Sequence, residues 1–195
     1  FRPFPSRQSA LSHLRFLVCR PWRSTDFLCR PEANTYGLEF HEFSITDPAT
    51  GDVLFDVRHH MEDVMRRFAQ ISAAGGSPDP DLARKVMYSF KPSVLQCKSL
   101  RTSLAFKTGG EPVKGLRMIE RHYVGNKLLR SYEFDFAFCI PNSTNSWDAQ
   151  YELPEISEDD IRTMVSTPYS HKSDSFYFVG EQLIMHNKAE YAYDK

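Results

Sequence analysis

No run of this sequence approaches the eighteen or so apolar residues that a membrane-spanning helix requires, so stable membrane insertion is not expected. An excess of one charge is missing too. The 24 Lys and Arg stand against 25 Asp and Glu, a formal net charge of −1. Such a chain lacks the basic surplus of a generic nucleic-acid binder, and no nucleic-acid partner is expected. Cysteine is sparse: Cys19, Cys29, Cys97 and Cys139 show no C-x-x-C spacing, which excludes the common zinc frames. A reducing compartment suits them better than a secreted disulfide framework. Cys97 and Cys139 sit in apolar, strand-like contexts and read as small buried hydrophobes. There is no phosphate loop of the G-x-x-x-x-G-K-[ST] type and no nucleophile elbow. His59, His60, Glu62 and Asp63 form no ligand set, because adjacent residues diverge on a helix, and they read as solvated surface. The expectation is a protein with no catalytic residue, no metal and no cofactor, and not an enzyme.

What the chain has is rings. Of its 195 residues 13% are aromatic, including 15 Phe and 9 Tyr, more than an ordinary core of this size needs. A wide apolar cavity and an aromatic-rich filled core both fit that composition. The hydrophobic fraction of 41% is that of a globular chain.

Residues 1–25 are expected to form a basic N-terminal arm, and residues 26–195 a β domain. The first 30 residues hold six Arg and one acid, Asp26. The arm reads as partly helical; a transit peptide or a membrane-surface helix also fits its composition. The sequence opens at Phe1 without a methionine and reads as trimmed. Tyr36, Leu38 and Phe40 alternate, then Phe43 and Ile45 alternate on the other parity, a phase change that a β-bulge would repair. Residues 47–52 (D-P-A-T-G-D) predict a turn, with V-L-F-D-V returning as a hairpin strand. Residues 59–85 read as an insertion. In it Met61, Val64, Met65 and Phe68 fall at i, i+3, i+4 and i+7, an amphipathic helix, followed by a flexible connection. V-M-Y-S-F and S-L-R-T-S-L-A-F predict further strands. Residues 142–148 read as a polar loop. Ser157 followed by Glu158, Asp159 and Asp160 predicts a capped helix whose apolar face is Ile161, Met164 and Val165. The end returns to strands. Short turns between strands predict antiparallel pairing, and the whole an all-β, immunoglobulin-like antiparallel β-sandwich with one inserted amphipathic helix and one short late helix.

The most informative stretch runs from Gly115 to Pro141. Two long strand-like segments flank Gly125 and Asn126. In the second, Tyr132, Phe134, Phe136 and Phe138 recur with period two and should share one face. In the first, Glu120 and His122 share a face with Met118. A buried carboxylate is costly unless it is paired. Either this strand lies at a wet edge, or Glu120 and His122 are polar groups at an otherwise apolar pocket. Tyr88, Tyr177 and Tyr191 would add hydroxyls to such a pocket.

R-M-I-E-R-H-Y (117–123), F-D-F-A-F-C-I-P (134–141), D-S-F-Y-F-V (174–179) and M-H-N-K-A-E-Y (185–191) closely resemble the uncoordinated protein 119 family, relatives of the delta subunit of rod cyclic-GMP phosphodiesterase. F-L-C-R-P-E-A-N-T-Y (27–36) and G-D-V-L-F resemble it as well; residues 59–85 do not. The resemblance implies a cytosolic sandwich, similar to Rho dissociation inhibitors, that takes a fatty acyl chain between its sheets. It implies N-myristoylated partners, such as G-protein alpha subunits and ciliary cargo, released at membranes by GTP-bound Arf-like small GTPases. Tyr88, Glu120, Tyr177 and Tyr191 match the family's pocket and mouth, with His122, Tyr132, Phe134, Phe136 and Phe138 beside them. N-S-T-N-S-W resembles the prenyl-binding relatives, which leaves a prenyl carrier of the same fold as an alternative. A filled-core interaction module is the other.

Overall fold

The computed structural model describes residues 26–56, 69–76, 79 and 81–194. Nine strands follow in chain order: β1 Glu39–Thr46, β2 Val53–Asp56, β3 Lys85–Ser89, β4 Ser99–Lys107, β5 Val113–Val124, β6 Lys127–Cys139, β7 Thr144–Glu152, then helix α1 Glu158–Ser166, β8 His171–Val179 and β9 Gln182–Ala192. They form two sheets, ordered β2-β1-β4-β7 and β3-β9-β8-β5-β6. The sandwich expected from the alternation is the observed fold. One pairing departs from it, for β3 runs parallel to β9. A long connection separates these two strands, so no tight turn forces them to run in opposite directions.

The phase change in β1 is a bulge. Phe40 pairs with Phe106 and Glu42 with Ala105, so one residue of β1 has no counterpart on β4. The Asp47–Asp52 turn closes as expected, with the Asp47 amide donating to the Asp52 carbonyl at 2.9 Å. The predicted amphipathic stripe (Met61, Val64, Met65, Phe68) and His59, His60, Glu62 and Asp63 lie outside the described residues; residues 69–73 are helical. Ser157 caps α1, its hydroxyl oxygen accepting from the Asp160 amide at 3.2 Å, a contact type worth about 1 kcal/mol. Met164 is fully buried beneath that helix, whereas Val165 is exposed and not part of its packed face.

Three expectations are corrected. Residues 144–148 do not loop but begin β7, an edge strand paired with β4 along its whole length. Its inward positions Asn145, Trp147, Ala149 and Tyr151 alternate with exposed polar residues, a strand pattern diluted by Ser, Asn and Asp. The aromatic run of β6 does not keep one face to its end. Phe136 is buried, but Phe138 is 53% exposed and Cys139 takes the inward place at 2%. The cause lies opposite, at Gly115, whose φ of +68° kinks β5 so that Val113 and Leu116 both turn inward. Cys97 is not a buried hydrophobe. It is half-buried, with its sulfur 3.7 Å from Asp47 Oδ2, and burial followed by that carboxylate pushes its thiol up.

The core between the sheets falls into two clusters. One gathers Leu38, Leu104, Phe106, Leu116 and Phe136; the other Ile45, Tyr88, Phe90, Met164 and Tyr193. A third cluster, Ile119, Phe176, Phe178 and Leu183, lies on the outer face of the five-stranded sheet.

Candidate functional site

A cavity of about 660 Å³ lies between the sheets and draws its wall from both inner clusters. Strand register sets what faces it. Across the five-stranded sheet, Phe134, Met118, Tyr177 and Met185 make one row. The next row is Tyr132, Glu120, Ser175 and Asn187, four polar side chains on four adjacent strands, all lining the cavity. Beyond it come Arg130, His122, Ser173 and Ala189, then His171, Tyr191 and Tyr88. The facing sheet supplies Phe43, Ile45, Leu100, Leu104, Trp147 and Tyr151.

Strand β5 is internal, between β8 and β6, so Glu120 and His122 do not sit at a wet sheet edge. Their side chains keep 21% and 16% exposure, and both line the cavity. Among the described residues, the one hydrogen-bond or ion-pair contact of Glu120 is His122 Nε2, 3.5 Å from Oε1. A carboxylate can accept about four hydrogen bonds, so most of its capacity is open. Behind it runs a chain of rings: His122 Nδ1 lies 3.1 Å from His171 Nε2, and His171 Nδ1 meets the Tyr193 hydroxyl. Glu120 can only accept. The tautomers of the two imidazoles set which atom donates at each step of that chain.

The tyrosines are donors held neutral. Burial, and after it the charge of Glu120, pushes the hydroxyls of Tyr88, Tyr151, Tyr177 and Tyr191 far above the ordinary tyrosine range. The Tyr191 hydroxyl is 2.9 Å from Ser173 Oγ, and its ring stacks on Tyr88 at 4.9 Å and on His171 at 4.2 Å. Tyr132 packs on Tyr151 at 4.9 Å. Its hydroxyl is buried and meets no partner in hydrogen-bond geometry, although the Arg130 guanidinium is near. Leaving such a group unsatisfied costs about 1–3 kcal/mol.

Of the residues singled out by sequence, Tyr88, Glu120, His122, Tyr132, Phe134, Tyr177 and Tyr191 line the cavity. Phe136 does not; it packs beyond the end against Phe106 and Trp147, with centroids at 5.9 and 5.3 Å. Phe138 is at the surface and belongs to neither wall nor core. Sequence reasoning missed Trp147 and Tyr151, whose alternation within residues 145–151 was the available signal. It also missed Ser175 and Asn187, which only the register places beside Glu120.

His171 is nearly inaccessible, and burial, followed by the charges of His122 and Arg130, holds its pKa well below that of a free imidazole. Above about pH 6.5 both folded and unfolded chains hold it neutral. Below that, only the unfolded chain takes the proton readily, so stability falls as the pH drops from 7 towards 5. His186, lowered by burial, adds to the same fall. Replacing His171 with Gln should remove a share approaching about 1.4 kcal/mol per pH unit. The urea midpoint at pH 7 and at pH 5.5 reads it, and an unchanged slope in the variant would assign the effect to other groups.

Among the described residues no three His, Cys, Asp or Glu gather as for a metal ion, and no helix is long and apolar enough to cross a membrane. Comparison with known proteins gives one family, described as GMP-PDE, delta subunit, which matches residues 32–193 and so spans the 59–85 stretch as well. The chain is 44% identical over 178 residues to human protein unc-119 homolog B, covering 91% of this chain and 70% of that protein. It is 44% identical over 172 residues to unc-119 homolog B-A of Xenopus laevis, 87% of this chain and 68% of the relative. Protein unc-119 of Caenorhabditis elegans shares 40% identity over 178 residues, with 91% and 78% covered.

Proposed function

We propose, from a chain that belongs to the GMP-PDE delta-subunit family and within it to the unc-119 proteins, that the inter-sheet cavity holds the N-terminal myristoyl group of client proteins. The family is one of lipid-binding carriers rather than enzymes, and residues 26–195 are read as the carrier domain. The observation that carries the proposal is the polar row Tyr132, Glu120, Ser175 and Asn187 crossing a cavity whose wall is mostly apolar.

Size and chemistry both support it. A cavity of about 660 Å³ is within the usual range for ligand sites. Burying a myristoyl chain offers roughly 10 kcal/mol at about 0.8 kcal/mol per CH₂, before ordering costs. That gain barely separates one apolar tail from another. The group joining tail to peptide does. An N-acyl glycine presents an amide N–H directly beside the lipid, which Glu120 is equipped to accept, and a carbonyl that neutral tyrosine hydroxyls are equipped to bind. A prenyl thioether offers no donor at that place. The acyl reading is therefore favoured over a prenyl carrier, and a cavity of this volume is at odds with a filled-core module.

Solubilised clients would be carried through the cytoplasm to membranes, ciliary ones included. Release would fall to GTP-bound Arf-like GTPases, which would favour a state of the sandwich with a tighter cavity or a wider mouth. The sheets offer β2, β7, β3 and β6 as edges for strand addition. The test is fluorescence titration of one labelled peptide in myristoylated, farnesylated and unmodified forms. The expected order is myristoylated tightest and unmodified without measurable binding. Preference for the farnesylated form would turn the reading to a prenyl carrier, and equal binding of all three to a surface-binding module.

A further inference from the structure

The flank of the cavity along β9 is closed by something other than a strand. Strand β3 pairs with β9 only from Lys85 opposite Lys188 to Ser89 opposite Ala192. At Asn187, His186 and Met185 no described strand lies beyond β9. Residues 26–34 run there instead and touch both sides of the sheet. On the outer face, Leu28 and Cys29 pack against Ile119, Phe176, Phe178 and Leu183. Phe27 meets His186 edge to face at 5.4 Å, with the Arg84 guanidinium 3.9 Å over its ring and the Lys188 ammonium at 5.5 Å. A few residues on, Arg30, Pro31 and Asn34 line the cavity itself. Arg84 and Lys188 join the two sides, since both hold Phe27 and both line the cavity.

The fastening is by side chains. The Leu28 amide donates to His186 Nδ1 at 2.9 Å, and Arg84 donates to the Cys29 carbonyl at 2.9 Å. Among the described residues, no main-chain hydrogen bond joins residues 27–34 to a strand; those they make are local turns. A segment held this way opens at lower free energy than the strands it covers. Its far end is anchored, for the Tyr36 carbonyl accepts from the Gly109 amide at 2.8 Å. Asn34 fastens the same end, its side chain pairing with the Leu38 carbonyl and amide at 2.9 and 3.0 Å.

We infer that residues 26–34 form a hinged door on the side of the cavity, latched by Phe27 in the socket of Arg84, Lys188 and His186, through which the lipid tail enters and leaves. The traffic through the door rests on the acyl-carrier reading; the latch does not. Phe27→Ala removes the latch without touching the cavity wall. It should speed both association and dissociation of a fluorescent myristoylated peptide by about tenfold, the scale of one desolvated cation–π contact, and move Kd much less. It should also speed alkylation of Cys29 by N-ethylmaleimide, which peptide mapping by mass spectrometry reads apart from the other cysteines. Phe27→Tyr, which keeps a ring between the cations, should restore both rates. A folded Phe27→Ala chain whose Cys29 reacts no faster overturns the latch. Faster alkylation with unchanged peptide kinetics overturns the door, since the segment then opens without admitting the tail. A wild-type chain that binds no myristoylated peptide overturns the acyl reading and the traffic with it, while the alkylation rates still decide the latch.

Discussion

Glu120→Ala should weaken binding of an N-myristoylated peptide roughly ten- to a hundredfold, the scale of a lost hydrogen bond to a charged group, while free myristate binds as before or tighter. The asymmetry follows from where Glu120 stands. It lines the cavity from an internal strand, flanked in its row by Tyr132 and Ser175, with His122 Nε2 3.5 Å away. On the proposed reading an acylated peptide would bring an N–H to that carboxylate, and without Glu120 the N–H would be desolvated and unpaired. Free myristate brings a carboxylate of its own, which Glu120 repels. Paired titrations of the two ligands against both proteins decide the matter, and equal losses for peptide and fatty acid would sink the role given to Glu120. Glu120→Gln sharpens the test, because its amide oxygen still accepts and should recover part of the peptide affinity.

Ser175→Trp should abolish acyl binding, with a loss beyond about a hundredfold, and leave the fold as stable as before or more so. Ser175 is on β8, between β5 and β9, in the middle of the polar row. An indole there projects into space that the wild-type chain does not fill. Packing it against Tyr177 and Leu104 removes apolar surface from water, a gain of about 1–3 kcal/mol, rather than straining a close-packed core. Thermal unfolding and acyl-peptide titration on the same sample separate the two consequences. Wild-type affinity in the variant would place the lipid elsewhere, and a sharp drop in stability would mean that the cavity is not free to be filled.

Period-two alternation made the architecture legible, because a strand buried on one face records that burial in every second residue. The β1 bulge was readable for the same reason, since the parity of Phe40 and Phe43 could not both be satisfied without it. Where a strand buries little, the record is faint. Trp147, Ala149 and Tyr151 alternate with Ser146, Asp148 and Gln150, and the polar residues hid an edge strand whose inner face completes the site. Phe138 misled for the opposite reason. Its spacing was right, but Gly115 on the neighbouring strand turned the parity of the hairpin, and no local pattern in β6 reports a kink in β5.

Alternation, turns and a capped late helix in the sequence were enough for a two-sheet sandwich, and its motifs were enough for the family. Glu120 and His122 were visible as polar residues on an apolar face. Their surroundings were decided only by tertiary structure. Strand order put β5 inside the sheet rather than at its edge, and register brought Ser175 and Asn187, some 55 and 67 residues further along the chain, into line with Glu120. Packing of the second sheet then set how much space was left between them. Those outcomes depend on contacts between distant segments, which one-dimensional periodicity does not encode.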